Sequence, residues 1–267
     1  PGKSGAAALA AMGALRAGTG LVTVGIPEGL NRIMEIKTTE AMTEPIPETA
    51  QGTFGMVSIS RAMEIMAAKK TAVAIGPGIT VTDDARDFLY EIIKASPVPL
   101  LIDADAITLV AKNPGILKRA KAPVVLTPHP GEMSRLAGIS TEDVQDDRIG
   151  VSLDFAREFG AYVILKGARS LISCPDGKVF VNTTGNPGMA AGGMGDVLTG
   201  IAGGFLAQGM GAEEACKLGV FAHGAAGDRA ASERGEAGIT ASDLADALPA
   251  VIKDIPTMDD EPFIRIR

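Results

Sequence analysis

The clearest opportunity for chemistry in this sequence is a glycine-rich stretch that ends in a carboxylate, NPGMAAGGMGD at residues 186–196. Gly192, Gly193 and Gly195 allow tight turns and a close approach of the backbone to a ligand. The apolar run at residues 197–206 predicts a buried helix whose first N–H groups would face an anion. A carboxylate beside bound phosphate is repelled by the charge of the phosphate, so it is unfavourable there unless the chemistry uses it. Asp196 is therefore a candidate general base or metal contact, although an Asp that only caps a helix fits the same pattern.

Four further groups of polar or glycine residues follow apolar runs that predict strands. They are GPG at residues 76–78, DAD at residues 103–105, TPHPGE at residues 127–132 and KGARS at residues 166–170. In an open α/β sheet, ligands bind at the carboxyl ends of the parallel strands. We therefore expect these groups and the glycine-rich stretch to converge on one rim of the sheet and to form an active site there.

Each of these groups also has an ordinary structural interpretation. His129 is held rigidly between two prolines, and either a structural or a functional role fits it. Glu132 could contact a magnesium ion through water, or complement the dipole of a helix. Asp103 and Asp105 could hydrogen-bond a sugar, hold a metal shell or cap a helix. His223 lies in the small-residue stretch FAHGAAG at residues 221–227, which favours close helix packing.

The elements that would position these residues alternate between strands and helices. Apolar, often β-branched runs predict strands at residues 21–26, 72–76, 99–103, 123–127 and 162–166. Helical patterns lie between them at residues 6–17, 82–95, 105–111 and 147–159, with Thr82 or Asp83 as one N-cap. Residues 171–173 and 178–182 flank a Pro-Asp-Gly turn and predict an antiparallel hairpin. The last third is predicted to be helical, with Thr240 or Ser242 capping residues 243–248.

Composition limits the classes of protein that this chain can represent. Its 267 residues are 46% hydrophobic, which suits one α/β domain. The net charge of −7 disfavours nucleic acid as a partner, and no apolar run reaches the length of a membrane span. Cys174 and Cys216 are a lone pair that is far apart in sequence, which argues against a disulfide framework or zinc site and fits a reducing cytoplasm.

Taken together, the motifs resemble those of the ADP/ATP-dependent NAD(P)H-hydrate dehydratase family. The motifs run in order from SGAAAL and TGLVT near the start through GPG, LIDADA, LTPHPGE, LKGARS and GGMGDVLTG, so the resemblance covers nearly the whole chain. It implies a ribokinase-like three-layer α/β/α sandwich with a mainly parallel central sheet and an antiparallel edge hairpin. We expect a single domain over residues 1–267, without the N-terminal strand that the family resemblance leads one to expect.

The resemblance also implies an activity and the residues that would carry it. The activity is dehydration of the S form of hydrated NADH or NADPH, with ADP or ATP as co-substrate, Mg²⁺ as cofactor and an NAD(P)H-hydrate epimerase as functional partner. A cytoplasmic homotetramer is implied as well. By the family pattern, Asp196 would be the catalytic base, Ala7, Gly78, His129 and Asp196 would contact the hydrate, and Glu132 could reach the metal through water. The nucleotide would contact Lys166, Gly167, Ala168, Arg169, Ser170 and Gly195.

Two departures from the family pattern and two rival functions remain. Met194 stands where the family often has Ser or Thr, and Ile107-Thr108 stands where it often has Leu-Asn. The first departure means that phosphate contacts at the glycine-rich stretch must come from the backbone. A ribokinase-like kinase for a vitamin precursor or sugar hydroxyl would share the phosphate loop and base, and a non-catalytic nucleotide-binding module would share the pocket. The sequence does not decide between ADP and ATP or between the two hydrates.

Overall fold

The structure is a computed structural model that describes residues 3–255 and 263–266. A small parallel sheet pairs β1 (Thr23–Pro27) with β2 (Met42–Ile46). The main sheet of the described residues runs, in order, β3 (Val73–Ile75), β4 (Leu100–Ile102), β5 (Val124–Leu126), β6 (Tyr162–Leu165), β7 (Leu171–Ser173), β8 (Val179–Asn182) and β9 (Phe263–Arg265). Strands β3 to β6 are parallel and β6 to β9 are antiparallel neighbours, which confirms the predicted mainly parallel sheet with an edge hairpin.

Eleven α-helices lie within the described residues. They are α1 (Ser4–Arg16), α2 (Asn31–Lys37), α3 (Ile59–Ala67), α4 (Asp83–Ala95), α5 (Ala104–Val110), α6 (Pro130–Ala137), α7 (Thr141–Asp146), α8 (Arg148–Phe159), α9 (Met194–Ala207), α10 (Ala212–Arg234) and α11 (Ala241–Asp254). Short 3₁₀ turns cover Glu28–Leu30, Met56–Ser58, Pro114–Arg119 and Pro187–Met189. The helices that the sequence predicts are all present. Their bounds differ from the prediction by at most three residues, except that α11 continues to Asp254 instead of ending at Leu248.

The side chains of the central strands alternate between two hydrophobic cores. Leu100 and Ile102 of β4 point into a core that contains residues of α3, α4, α5, α6 and α8. Leu101 of the same strand points into a second core, which contains residues of α9, α10 and α11. Because successive side chains of a strand face opposite sides of a sheet, this division makes the sheet the middle of three layers. The predicted α/β/α sandwich is therefore confirmed.

Polar side chains fix where several helices begin. Thr82 accepts a hydrogen bond from the backbone N–H of Ala85 at 3.2 Å and starts α4. Thr240 accepts from the N–H of Asp243 at 3.3 Å, and the Asp243 carboxylate accepts from the N–H of Thr240 at 2.9 Å. This reciprocal capping box starts α11, so of the two alternatives that the sequence offered at each helix, Thr82 and Thr240 are the caps.

Glycines bring α1 unusually close to α9, the helix that follows the glycine-rich stretch. A Cβ placed on Gly200 would lie 2.0 Å from the carbonyl oxygen of Ala10, and one on Gly13 would lie 2.5 Å from the carbonyl oxygen of Val197. Real Cβ atoms do not approach backbone atoms so closely, so a side chain at either position would push the helices apart. This close contact fixes the position of the first turns of α9 against α1.

Two predictions about secondary structure are wrong in part. The first predicted strand forms β1, but it pairs with β2, which the sequence did not reveal, rather than with the main sheet. The last third is not wholly helical, because β9 pairs with β8. Residues 256–262, which also fall in that third, lie outside the described part.

A slot separates β1 from β3. A cavity of about 530 Å³ is lined by residues of both strands, by α1 and by the α9 glycines Gly200, Gly203 and Gly204. The Lys70 ammonium, just before β3, reaches across to the Thr23 hydroxyl of β1 at 2.7 Å. Helices cover this slot on both faces, yet the sheet layer between the two strands is interrupted.

Cys174 and Cys216 are both buried free thiols. Among residues 3–255 and 263–266, no helix combines the length and the apolar character needed to cross a membrane.

Candidate active site

The predicted site residues follow the order of the parallel strands along one rim. Gly78 follows β3, Asp103 and Asp105 follow β4, His129 follows β5 and Lys166 follows β6. The strands are parallel, so their carboxyl ends lie side by side at one edge. α9 packs on β3 and β4, and its first two turns reach this edge, where Thr199 binds Asp103 and Gly195 lies beside Lys166. Asp196, in the first turn, therefore lies at the same edge. The predicted convergence on one rim is therefore confirmed.

Asp196 is the third residue of α9, in the first turn of the helix. Its carboxylate is partly buried and makes no hydrogen bond or ion pair with any part of the chain that the structure describes. Burial raises the pKa of Asp196 to about 6, the nearby Asp103 carboxylate adds to the shift, and Lys166 opposes it. A carboxylate with no partner and a pKa near neutrality is suited to accept a proton at physiological pH.

The backbone around Asp196 offers hydrogen-bond donors. Gly193, the N-cap of α9, has φ of 88°, a left-handed conformation that glycine adopts without strain. The N–H groups of Met194, Gly195 and Asp196 find no acceptor within the described residues, whereas that of Val197 donates to the Gly193 carbonyl at 3.1 Å. The helix dipole and these free donors favour an anion beside Asp196.

Lys166 lies among the carboxylates of the rim. Its ammonium donates to Asp103 Oδ1 at 2.8 Å and lies 3.8 Å from Glu132 Oε2. The other Asp103 oxygen accepts from the Thr199 hydroxyl of α9 at 2.7 Å. Asp103 is 1% exposed, so this buried network ties β4, β6 and α9 together. Asp103 does occupy the N-cap position of α5, as one of the interpretations expected, but its side chain makes no capping hydrogen bond and binds Lys166 and Thr199 instead.

Lys166 also reaches the glycine-rich stretch. A Cβ placed on Gly195 would lie 3.4 Å from the Lys166 ammonium, so the two residues are neighbours. Asp105 turns toward α1, where it binds the Lys3 ammonium at 2.8 Å and accepts from the Thr80 N–H at 3.0 Å. The interpretation of Asp105 as a cap is not supported, because both of these partners lie outside α5.

His129 and Glu132 form the capping box of α6. His129 Nδ1 accepts from the N–H of Gly131 at 3.0 Å, and Glu132 Oε2 accepts from the N–H of His129 at 2.8 Å. Burial and the nearby Lys166 lower the pKa of His129, so its ring is neutral at pH 7 and the proton sits on Nε2. The ring remains 52% exposed at the rim, with Nε2 3.5 Å from Glu132 Oε1. A structural role is thereby established, and Nε2–H is still able to donate to a ligand.

Glu132 fits only an indirect contact with a metal ion. Its side chain is 7% exposed, and one of its oxygens is used in the capping box. Burial raises its pKa, although Lys166 opposes the shift. The Lys166 ammonium already occupies the space between Glu132 and Asp103, where a cation bound by both would sit. Glu132 and Asp196 supply the hard oxygen donors that Mg²⁺ prefers, and a hydrated ion brought by phosphate groups suits this arrangement.

The loop at residues 166–170 crosses the end of the rim. Gly167 has φ of 139° and Arg169 has φ of 55°, so the backbone folds back on itself. The Ser170 hydroxyl donates to the Gly167 carbonyl at 3.0 Å, and the Arg169 guanidinium donates to the Thr183 carbonyl at 3.3 Å. Gly167, Ala168 and Arg169 are exposed, which leaves the loop open to a ligand.

Ala7 and Gly78 lie toward the opposite end of the rim. Both line the cavity between β1 and β3. Gly78 has φ of 77°, and a Cβ on it would lie 2.9 Å from the Lys3 carbonyl oxygen. The loop at residues 166–170 and these two predicted hydrate residues therefore lie toward opposite ends of the rim, with Asp196 between them.

Sequence reasoning did not assign the residues of α10 that shape the glycine-rich stretch. His223 Nε2 donates to the Met194 carbonyl at 2.9 Å, and burial lowers the pKa of His223 to about 4. Asp228 accepts from the Gly185 N–H at 2.8 Å and from the Asn186 amide at 2.9 Å. The close packing predicted for residues 221–227 is confirmed, because a Cβ on Gly224 would lie 2.1 Å from the Thr184 hydroxyl. His223 and Asp228 are five positions apart on α10, and no local pattern in the sequence indicates their contacts.

Three groups come together at this rim. They are the Asp196 carboxylate, which has no partner, the free backbone N–H groups at the start of α9, and the partly buried Lys166 ammonium. A carboxylate base beside an anion site can deprotonate an alcohol as it attacks a phosphoryl group. Comparisons with known proteins bear on this chemistry.

A sequence profile of the NAD(P)H-hydrate dehydratase family matches residues 2–250. The bifunctional NAD(P)H-hydrate repair enzyme Nnr of Moorella thermoacetica is 45% identical over 255 residues, which are 96% of this chain and 48% of that protein. The ADP-dependent (S)-NAD(P)H-hydrate dehydratase of Xanthomonas campestris is 33% identical over 252 residues, which are 94% of this chain and 85% of that protein. The chain spans about half the length of the bifunctional relatives that it matches.

Solved structures give the same fold. The ADP/ATP-dependent NAD(P)H-hydrate dehydratase from Bacillus subtilis, co-crystallised with ATP and Mg²⁺, superimposes with a TM-score of 0.78 at 30% identity, over 94% of this chain and 85% of that one. A ribokinase-like superfamily protein from Enterococcus faecalis gives a TM-score of 0.76 at 27% identity, over 94% of this chain and 82% of that one. The predicted ribokinase-like fold is thereby confirmed.

Proposed function

Because the chain belongs to the NAD(P)H-hydrate dehydratase family, we propose that it dehydrates the S form of hydrated NADH or NADPH, at the expense of ADP or ATP. ADP would be cleaved to AMP and phosphate, or ATP to ADP and phosphate. Such a hydro-lyase would repair cofactor molecules that water has inactivated. The observation that carries the proposal is the unpartnered Asp196 carboxylate, with its raised pKa, beside the free N–H groups that begin α9.

The chemistry assigns one proton transfer to Asp196. The hydrate carries a hydroxyl on its ring, and Asp196 would accept the proton of that hydroxyl as its oxygen attacks the terminal phosphoryl group. The bond between that phosphorus and the bridging oxygen of the nucleotide breaks, which releases AMP or ADP. The ring-nitrogen lone pair then expels inorganic phosphate, and loss of a proton from the adjacent ring carbon restores NAD(P)H.

The other rim residues would bind and orient the reactants. The N–H groups of Met194, Gly195 and Asp196 would hold the oxygens of the phosphoryl group, and Gly195 brings the Lys166 ammonium close to them. The loop at residues 166–170 would hold the nucleotide, and Ala7, Gly78 and His129 would contact the hydrate. Glu132 and Asp196 are the residues that would hold Mg²⁺ through water, and the bound ion would supply neutralisation of the phosphate charge.

A product assay separates this function from its closest rival. A kinase of the same architecture would phosphorylate a hydroxyl and stop, so its product would be a stable phosphate ester. With hydrated NADH, ADP and Mg²⁺, we expect the absorbance of reduced nicotinamide to return, together with one phosphate and one AMP for each NADH. Accumulation of a phosphorylated hydrate without that absorbance would establish the kinase, and binding of ADP without turnover of any hydrate would establish a nucleotide-binding module.

Partners and assembly are further parts of the proposal. The bifunctional names of several relatives support an NAD(P)H-hydrate epimerase as the functional partner, since an S-specific dehydratase leaves the other epimer untouched. We also propose a homotetramer in the cytoplasm, supported by the family resemblance and by two buried free thiols that suit a reducing compartment. Light scattering during size-exclusion chromatography measures the assembly, and a monomeric mass would contradict the tetramer.

We further propose that the chain is one domain whose main sheet takes one more strand between β1 and β3. The slot supports this, because β1 and β3 line the same cavity without pairing, and Lys70 bridges them. Lys3 lies beside Gly78 at the carboxyl end of β3, which is where a parallel strand leading into α1 would end. A strand placed there would lead into α1 and would join the β1–β2 sheet to the main sheet in one layer.

Thiol labelling tests the added strand. Ala74 of β3 is exposed, although every residue of the neighbouring strand β4 is buried. We expect Ala74→Cys to react rapidly in the 267-residue chain. In a longer version that carries the proposed strand ahead of Pro1, we expect the thiol to be protected and Tm to rise. The two native thiols are buried and give little background. Equal reactivity of the two versions would contradict the added strand.

A further inference from the structure

Arg148 underlies the loop at residues 166–170 and has an unusual set of partners. This first residue of α8 donates from Nη1 to the Ala168 carbonyl at 2.7 Å. Its Nη2 donates to the carbonyls of Leu165 at 3.3 Å and Lys166 at 3.4 Å. Its Nε is buried without a hydrogen-bond partner. The guanidinium therefore binds three carbonyl oxygens, one at the end of β6 and two in the loop that follows it.

The charge of Arg148 is not balanced by a carboxylate in the described part of the chain. Burial lowers its pKa, and no acidic neighbour counteracts that shift. A partly buried cation without a counter-ion is costly, and the carbonyl dipoles offset that cost only in part. The unbalanced positive charge favours an anion on the outer side of the loop.

The loop presents its N–H groups where such an anion would bind. Arg148 engages the carbonyls of Leu165, Lys166 and Ala168, and the Ser170 hydroxyl engages that of Gly167. The four successive N–H groups of residues 167–170 have no acceptor among residues 3–255 and 263–266. A run of unpaired N–H groups in a folded-back loop is an anion-binding concavity.

We propose that Arg148 is the positioning residue that makes this loop a binding site for the phosphate groups of the nucleotide. The inference rests on the proposed function in one respect, because that function supplies the identity of the anion as ADP or ATP. Arg148 would not touch the ligand. Its guanidinium holds the loop carbonyls on the side that faces α8, so the loop N–H groups face the opposite side, where the phosphate would bind. The positive charge also polarises the peptide groups that lie between it and the phosphate.

The geometry explains why arginine and glycine occur together here. The guanidinium fork reaches three carbonyls from one side, whereas a lysine ammonium is a single point of charge. A Cβ on Gly167 would lie 3.2 Å from Arg148 Nη2, and its φ of 139° is one that other residues rarely adopt. Gly167→Ala should therefore disturb the same site without any change to Arg148.

Calorimetric titrations of the full chain test this role, with Mg-ADP, inorganic pyrophosphate and adenosine as probes. In Arg148→Gln we expect the Kd for Mg-ADP and for pyrophosphate to rise about tenfold or more, and Arg148→Lys and Gly167→Ala to weaken both in the same direction. Binding of adenosine, which carries no phosphate, should be unchanged.

In steady-state kinetics of Arg148→Gln, the KM for ADP should rise, while kcat at saturating ADP should be retained. Arg157→Gln, an exposed change on the same helix, is the matched control and should leave every Kd unchanged.

The outcomes separate this inference from the proposed function. If folded Arg148 and Gly167 variants bind Mg-ADP and pyrophosphate like the wild type, Arg148 only supports the fold and the inference is overturned. If phosphate binding depends on Arg148 but the wild type repairs no hydrate, the inference stands and the proposed function fails. If the wild type binds neither probe, both are overturned. Circular dichroism of each variant establishes which ones are folded.

Discussion

Asp196→Asn is expected to lower kcat by a factor of about 10² to 10⁴, the usual contribution of a general base. The amide keeps the shape of the side chain but cannot accept the hydroxyl proton. Mg-ADP should bind as tightly as before or more tightly, because a negative charge next to the phosphate has been removed. Steady-state kinetics and calorimetric titration of the variant measure both quantities. Turnover within a few-fold of the wild type would refute Asp196 as the base.

The same variant should be more stable than the wild type at neutral pH. The pKa of Asp196 is raised from its ordinary 3.8 to about 6, so folding favours its protonated form. That contribution to stability is fully present below pH 3.8 and is lost as the pH rises through about 6. After allowance for solvent screening, we expect the neutral amide to stabilise the fold at pH 7 by about 1 kcal/mol. Denaturant titrations at pH 7 and pH 4 measure the gain, which should vanish at the lower pH, and the exposed Asp154→Asn is the control.

The pH dependence of activity follows from the same carboxylate. Asp196 must be ionised to accept a proton, so kcat/KM should rise with pH through about 6 and then level off. In Asp196→Asn the residual activity should lose this rise. A wild-type profile that falls with pH across this range would be inconsistent with a base at Asp196.

Lys166→Met is expected to have the second large effect, on both stability and activity. Lys166 is 19% exposed and neutralises Asp103, which it meets at 2.8 Å, with Glu132 and Asp196 nearby. Its removal leaves buried carboxylates without a cation, which costs about 3 kcal/mol for a broken buried pair. Activity should fall by about 10² or more, as for the loss of a group that stabilises transition-state charge.

The sign of the pH effect makes this prediction specific. Lys166 lowers the pKa of Asp196, so without it that pKa should rise and the residual activity should shift to higher pH. Stability should recover as acid protonates the carboxylates, and Lys166→Met combined with Asp103→Asn should be more stable at pH 7 than Lys166→Met alone. Lys178→Met, which removes more exposed ion pairs with Asp176 and Glu213, should destabilise the fold much less than Lys166→Met. Equal losses in Lys166→Met and Lys178→Met would contradict a central charge network.

Local patterns in the sequence were enough to predict the central layers of the fold. The runs that became β4 and β5 are wholly buried and apolar, and capping residues such as Thr82 mark where helices start. These signals act over a few residues, so periodicity and capping chemistry reveal them. β2 was missed because Met42–Ile46 carries Glu44 and Pro45, which are unusual in a strand, and its pairing with β1 is a tertiary contact.

The location of the site in the fold could be predicted from the sequence, but most contacts between its side chains could not. Polar residues after apolar runs indicated the rim, because parallel strands end together. The Lys166–Asp103 pair joins residues 63 positions apart, and Thr199 meets Asp103 across 96 positions. No local pattern encodes such pairs. For the same reason, Arg148 and Asp228 were not predicted, and His223 was interpreted only as part of a closely packed helix. Each of them binds a segment that only the folded chain brings near it.

The fate of one oxygen atom tests the central claim most directly. Hydrated NADH prepared in ¹⁸O-water carries the label on its ring hydroxyl, and the reaction is then run in ordinary water with ADP and Mg²⁺. If Asp196 deprotonates that hydroxyl as it attacks the terminal phosphoryl group, the released inorganic phosphate contains one ¹⁸O for each NADH restored. Unlabelled phosphate, with ¹⁸O lost to the solvent, would mean that water attacks the nucleotide and that Asp196 does not perform the proposed step.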